Sequence, residues 1–255
     1  MTILSTEEIQ TFQRDGYLVV DCGVSESVLD SIVADLDGKY PDGLNQDGVQ
    51  PPTRIQDAWK THRGVHELAM SEHLLQCLRD LYGREPKPFQ TLNFPTGTWQ
   101  PAHADSVHFN SLPLTFMAGV WVALEDCDED NGPIQYWPGS HNLPEFNMAD
   151  VGVEPLEENY AHYEKFIAKV IERFALKSKL ALVKKGQAFI WASNLIHAGG
   201  ARKDLYRTRH SQVTHVFFEG CKYWTPMKSG GLEVCWREPQ FIAPLKPARK
   251  GLFGR

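Results

Sequence analysis

The spacing of apolar positions changes once along the chain, near residue 86. Before that point they recur at three and four residues, the helical period. Ser5-x-x-Glu8 forms a capping box, Ile9 and Phe12 share the face behind it, and Gly16 is a stop. Tyr17–Val20 follows as a short apolar strand. Val28, Ile32 and Leu36 stand four apart and predict a second helix over 26–37, ended by Gly38. A third is expected over 72–82, between the cap Ser71 and the stop Gly83. Residues 39–53 (KYPDGLNQDGVQPPT) carry turn formers and read as a loop.

After residue 86 the apolar positions come in short runs. Strands are predicted at 88–94, 102–109, 116–124, 133–137, 180–184, 187–191 and 212–219. Asn131-Gly132-Pro133 and Pro138-Gly139-Ser140 mark turns. One amphipathic helix interrupts the run at 157–176, with Tyr163, Phe166, Ile167, Val170, Ile171 and Phe174 on one face. Helices in front and many short strands behind predict a β-sandwich or barrel with helices packed outside it. No linker divides the chain. It reads as one domain: a helical part over 1–85, a β core over 86–243 and a tail over 244–255.

Composition narrows the class. The chain has 255 residues, 42% hydrophobic and 23% charged, enough to bury a core and too apolar for a disordered chain. A net charge of −6 argues against a nucleic-acid binder. The one shift in composition is the tail, with Lys246, Arg249, Lys250 and Arg255 and no acid, and it reads as a solvated terminus. No run is long and apolar enough for a membrane span, and Glu7 and Glu8 stand where a signal peptide needs an apolar core. Cys22, Cys77, Cys127, Cys221 and Cys235 are odd in number and scattered, which fits reduced thiols. A cytoplasmic protein without nucleic-acid or membrane partners is expected; the oligomeric state stays open.

Ten histidines are the one oddity. On a strand, residues i and i+2 share a face, so His-x-Asp presents an imidazole beside a carboxylate. With a second histidine this makes a facial triad suited to non-haem iron. Chance alone supplies about one such dipeptide match in a chain of this composition. Two occur, His103-x-Asp105 and His162-x-Glu164. The second lies on the predicted helix 157–176, where residues two apart diverge. The first follows a turn-rich segment in strand-like sequence. His197, after the apolar run QAFIW, is the candidate third ligand. Arg209 and Ser211 open the strand QVTHVFFE on one face, an arginine fork and a hydroxyl suited to a buried carboxylate.

Taken together, His103-x-Asp105, His197 and Arg209-x-Ser211 resemble the Fe(II)/2-oxoglutarate-dependent oxygenases, and within them the phytanoyl-CoA dioxygenase-like branch. The similarity runs through EEIQTFQRDGYLVV, HADSVHF, GVWVALEDCDEDNGPIQYWPGSH, GQAFIWASNLIHAGG and TRHSQVTHVFFEG. The resemblance implies a mainly β fold with flanking helices around a double-stranded β-helix core, a jelly-roll and cupin relative. It implies Fe(II) held by His103, Asp105 and His197, with 2-oxoglutarate as cosubstrate and O2 as oxidant. Arg209 and Ser211 would take the far carboxylate of 2-oxoglutarate, Trp121 would wall it in, and Asn93 matches a position that touches it in some members. Members often carry a small hydroxyl residue two positions after the distal histidine, where this chain has Gly199.

The implied reaction is hydroxylation of an unactivated C–H with release of succinate and carbon dioxide. Related halogenases lack the carboxylate ligand, so Asp105 favours hydroxylation over chlorination; desaturation, epoxidation and cyclisation remain alternatives. A metal-binding jelly roll that does not use 2-oxoglutarate is a rival reading, and it would have no use for Arg209-x-Ser211. A non-catalytic barrel would be expected to have lost a ligand. Trp99, His108, Phe109, Tyr136 and Trp137 are the candidate substrate contacts near the triad. On a continuing strand His108, three residues past Asp105, would point away from the ligands. The net acidity disfavours a CoA-bearing substrate and favours a small free metabolite.

Overall fold

The computed structural model describes residues 2–41, 54–230 and 233–245. The expected loop from residue 42 to 53 and the tail from residue 246 lie outside the described residues.

The capping box forms as read: Glu8 N–H donates to Ser5 Oγ and Ser5 N–H to the Glu8 carboxylate, opening α1 (Thr6–Asp15). Then come β1 (Tyr17–Asp21), α2 (Glu26–Leu36), β2 (Ile55–Gln56), α3 (Arg63–Ala69) and α4 (Glu72–Tyr82). The sequence pattern did not predict α3. His62 gives its N-terminus no side-chain cap, and burial alone marks it, with Val65, His66 and Leu68 inside.

The β core follows with β3 (Pro86–Phe94), β4 (Asn110–Leu112), β5 (Met117–Ala123) and β6 (Ile134–Tyr136). After them come α5 (Met148–Val151) and α6 (Tyr160–Arg173), then β7 (Lys179–Leu180), β8 (Gln187–Ala192), β9 (His197–Gly199) and β10 (Ser211–Phe218). β11 (Lys222–Trp224) and β12 (Trp236–Arg237) end the described elements. No helix among the described residues is long and apolar enough to cross a membrane.

Six strands form one antiparallel sheet in the order β1-β8-β5-β10-β3-β2. Two small sheets, β7-β6-β9 and β12-β11-β4, complete the mainly β, double-stranded β-helix fold. Strand alternation divides the large sheet's side chains. Val120, Val122, Ala188 and Ile190 face outward onto a core built with α1–α4, which buries Phe12, Leu29, Ile32, Leu68 and Leu78. Trp121, Ala123, Phe189, Trp191 and Val213 face inward with Leu92, Phe94 and Ile134. Both faces of the central strands are buried, so FMAGVWVAL reads as a continuous apolar run instead of an alternating one. α6 closes the other side with Tyr163, Ile167 and Val170, against Trp137, Met148 and Ile196.

One predicted strand is corrected. Residues 102–109 do not continue extended past His103: the chain turns into a 3₁₀ helix at Asp105–Val107. His108 N–H and Phe109 N–H both donate to Asp105 O, which closes that turn.

Candidate active site

Backbone pairing brings the two candidate ligand histidines together. His103 N–H donates to His197 O at 3.0 Å, and His197 N–H returns the bond to His103 O at 2.9 Å. This reciprocal bridge makes them direct cross-strand neighbours, with ring centroids 4.4 Å apart. Each ring is fixed by a carbonyl two residues upstream: His103 Nδ1 lies 2.8 Å from Pro101 O, and His197 Nδ1 lies 3.0 Å from Leu195 O. A carbonyl only accepts, so Nδ1 carries the proton in both rings and each Nε2 keeps its lone pair; that of His103 accepts from the Gln100 side-chain amide at 3.2 Å, a bond a metal would displace. Asp105 Oδ1 stands 3.8 Å from both Nε2 atoms. The turn after His103 brings the carboxylate here, where strand alternation was expected to do it.

The three ligand atoms lie within 4.8 Å of one another, and all three residues are buried. Two donors on one ion, each about 2.1 Å from it, are separated by about 3–4 Å, so the donor set fits a divalent metal with small adjustments. Burial drives His103 down to about 3, which keeps it a neutral ligand. Burial opposes the charge on Asp105, but His197, His215 and His103 outweigh it and hold the carboxyl below its usual range. Its second oxygen, Oδ2, accepts a 2.8 Å bond from Trp191 Nε1–H and lies 3.6 Å from His215 Nε2. Oδ1 is thereby left for a metal, the usual division between a ligand atom and its supporting contacts.

The site opens into a cavity of about 570 Å³ between the sheets. Arg209 lines it and is only 4% exposed. Its Nη1 donates to Ser211 Oγ at 2.8 Å and its Nη2 to Thr96 O at 3.2 Å, while Nε has no partner. Burial pushes its pKa down to about 10, yet no carboxylate pairs with it among the described residues. A buried cation without a counter-ion is costly, so the pocket is built to receive one. Trp121 forms the adjoining wall, with its ring centroid 5.3 Å from the Arg209 guanidinium. Ser211 is buried behind Arg209 and is not itself part of the cavity wall.

Other candidates are placed differently. Asn93 is off the wall, because strand alternation on β3 sends Leu92 and Phe94 inward and Asn93 to the opposite face. There its amide donates to Gln212 Oε1 at 3.2 Å. Phe109 and His108 both line the cavity. The 3₁₀ turn swings His108 inward, against the expectation that it would point away, and its ring packs tilted against Tyr160 with centroids 4.9 Å apart. Trp99 is exposed and off the wall. Tyr136 packs inside the core between Tyr17 and Phe189, and Trp137 joins the core under α6. His162 is exposed on α6, as the helical reading required.

The family model described as Phytanoyl-CoA dioxygenase (PhyH) matches residues 12–208. The chain belongs to the phytanoyl-CoA dioxygenase family. A zebrafish (Danio rerio) relative, Phytanoyl-CoA dioxygenase domain-containing protein 1, is 28% identical over 127 residues, covering 49% of this chain and 41% of the relative. Among solved structures, the chain is similar to the non-heme alpha ketoglutarate dependent carbocyclase SnoK from nogalamycin biosynthesis, at TM-score 0.70 and 16% identity over 87% of each chain. The epimerase SnoN from the same biosynthesis gives 0.71 and 16%, over 93% of this chain and 98% of that one. EctD from S. alaskensis, solved with 2-oxoglutarate and 5-hydroxyectoine, gives 0.67 and 20%, over 97% and 86%. Family membership and the triad together support an oxygenase-type enzyme that uses iron and 2-oxoglutarate.

Within this phytanoyl-CoA dioxygenase family member, several wall residues were not singled out from sequence. Trp191 and His215 support Asp105, and a glycine makes room for the indole. A Cβ on Gly119 would overlap the Trp191 ring, with Nε1 only 2.7 Å away. A glycine inside an apolar strand signals such a close approach, and FMAGVWVAL carries it in plain view. His215 was also within reach, because it continues the 209, 211, 213 alternation. Gly199 has its own explanation. A Cβ there would lie 2.5 Å from Thr98 Oγ1 and 2.6 Å from Trp99 N, so the family's hydroxyl residue does not fit. Thr98 lines the cavity and puts its own hydroxyl in that space.

Proposed function

We infer that this protein is an Fe(II)- and 2-oxoglutarate-dependent dioxygenase that hydroxylates an unactivated C–H of a small metabolite. The observation that carries the reading is the pairing of a buried His103–Asp105–His197 donor set with a buried, carboxylate-free Arg209 in one cavity. A metal-binding protein that used no 2-oxoglutarate would have no reason to bury Arg209 there. Iron and 2-oxoglutarate together supply the oxidising chemistry: one O2 oxygen goes to the substrate and the other to succinate, with carbon dioxide released.

The chain's own residues set the geometry. His103 and His197 hold the metal through Nε2, with Nδ1–H pinned on Pro101 O and Leu195 O. Asp105 Oδ1 is the third ligand, fixed through Oδ2 by Trp191. Arg209, steadied by Ser211, takes the far carboxylate of 2-oxoglutarate. Trp121 walls the cosubstrate, and Thr98 offers it a hydroxyl. Leu92, Phe94, Ile134 and Val213 line the cavity with apolar surface and keep water from the reacting atoms. Asp105 as a full carboxylate ligand supports hydroxylation over halogenation. The carbocyclase and the epimerase among the similar structures keep ring closure and epimerisation as alternative outcomes of the same chemistry.

The test is iron-dependent turnover of 2-oxoglutarate. Succinate formation is expected to require Fe(II) and O2, and to fall to background in Asp105→Ala and His197→Ala. Arg209→Gln is expected to weaken 2-oxoglutarate about 10- to 100-fold, the usual worth of a charged hydrogen bond. Wild-type succinate production by either ligand variant would overturn the assignment.

A further inference from the structure

We propose that the cavity mouth is an anion subsite centred on Arg237, and that the substrate oxidised here is a small metabolite carrying a carboxylate or phosphate group. The substrate half of this proposal rests on the functional reading above. The subsite itself rests on the distribution of charge around the cavity.

Besides Arg209, three cations line the cavity: Arg54, Lys228 and Arg237. Among the described residues, the only carboxylates on the wall are Asp105 and Glu157. Several cations away from the cavity are paired. Arg79 bridges Glu72 and Glu85, Lys185 meets Asp30, Lys203 meets Glu129, and Arg207 meets Asp128. Among the described residues, Arg54, Lys228 and Arg237 have no such partner, although the chain as a whole carries a net charge of −6. Unpaired cations lining one cavity of an acidic protein raise the local concentration of anions there.

Arg237 is the built element. Its guanidinium carbon lies 4.9 Å from the Phe109 ring centroid, within the range of a cation–π contact. Its Nη1 donates to Thr225 Oγ1 at 3.0 Å. Its Nε is buried and has no partner. The side chain is therefore fixed through Nη1 and against one ring, and Nη2, which is neither buried nor bonded among the described residues, is free to donate. A planar fork held this way matches a carboxylate or phosphate. From Arg237 the wall runs inward without a break. Phe109 packs on His215 with ring centroids 4.9 Å apart, and His215 Nε2 lies 3.6 Å from Asp105 Oδ2. An anion held at Arg237 lays its carbon skeleton along Phe109 toward the triad. The 570 Å³ must also hold 2-oxoglutarate, so the molecule is small.

The experiment uses the full-length protein loaded with cobalt(II) and saturated with 2-oxoglutarate, which occupies Arg209. Binding of 3-phenylpropionate, phenyl phosphate and the neutral 3-phenylpropanamide is then measured by calorimetry. One or both anions are expected to bind at least about tenfold more tightly than the amide, a charged-hydrogen-bond difference. Which anion leads decides between carboxylate and phosphate. Arg237→Gln is expected to erase the preference while 2-oxoglutarate affinity stays as in the wild type. Lys228→Gln and Arg54→Gln, both at exposed side chains, are expected to reduce it several-fold, and they carry the test if Arg237→Gln fails to fold. Equal binding of amide and anions, no binding of any probe, or a preference that survives all three variants would overturn the proposal. Failure of 2-oxoglutarate to bind would instead sink the functional reading, and the anion-against-amide comparison on the same protein would still decide the subsite.

Discussion

At the scale of residues, Asp105 shows how a ligand is prepared before any metal arrives. One oxygen faces two histidines and the other is held by the Trp191 indole. Gly119 leaves the space the indole needs. Trp191→Phe keeps the packing and removes the N–H, so metal affinity is expected to fall about 10- to 100-fold, the usual cost of losing such a support. Gly119→Ala pushes the ring off its place and is expected to cause a similar loss. Cobalt titration followed by its visible spectrum reads both variants, with circular dichroism confirming that they fold. Unchanged affinity in Trp191→Phe would show that the bond to Oδ2 is incidental. Gly199 and Thr98 make a second such pair. Restoring the hydroxyl by Gly199→Ser meets Thr98 and two backbone amides, so destabilisation is expected. Thr98→Val is expected to lower 2-oxoglutarate affinity several-fold without a change in melting temperature; unaltered affinity would remove Thr98 from the cosubstrate pocket.

At the scale of elements, legibility followed how local the determinants were. α1 and α4 were readable because their caps are written next to them: Ser5 with Glu8, and Ser71 with Gly83. The central strands were readable because burial on both faces makes long apolar runs. α3 and the short strands β4, β9, β11 and β12 were not, because pairing and burial define them and no local signal does. The triad lay between these cases. His103, Asp105 and His197 could be named from spacing, but the element invoked for Asp105 was wrong: a bridge and a 3₁₀ turn do the work assigned to a strand. Asn93 was lost to strand alternation, which one sequence does not fix without the register. No residue of α1–α4 lines the cavity, so these helices are expected to act through stability. Ile32 on α2 is fully buried against the outer face of the large sheet. Ile32→Ala is expected to cost about 2–5 kcal/mol in urea unfolding and to leave 2-oxoglutarate affinity unchanged. A loss of affinity in the folded variant would mean that the sheet transmits packing changes to the site.

At the scale of the whole molecule, net charge proved a poor guide to the mouth. A charge of −6 argues against a nucleic-acid footprint, but it does not describe a cavity lined by Arg54, Lys228 and Arg237. The acidity argument against a CoA substrate therefore loses its force; cavity volume is the better limit on substrate size. Charge also predicts how stability depends on pH. Burial lowers His108 to about 4 and His103 to about 3, while an unfolded histidine titrates near 6.5. Above that value neither state binds the proton, and the stabilisation is fully present. As pH falls below it, the unfolded chain takes up protons that the folded protein refuses, so stability declines until the folded groups titrate at about 4 and 3. Between pH 7 and pH 5 the two histidines together account for a loss of about 4 kcal/mol, at about 1.4 kcal/mol per pH unit for each. Urea midpoints of the metal-free protein in EDTA at the two pH values measure it, and His108→Phe should show roughly half the wild-type drop. Fe(II) held as proposed would bind the folded protein alone and compete with protons for its ligands, so adding it is expected to raise the midpoint at pH 7 far more than at pH 5. Equal midpoints at both pH values would show that these histidines are solvated, and the water-excluding site described here would not exist.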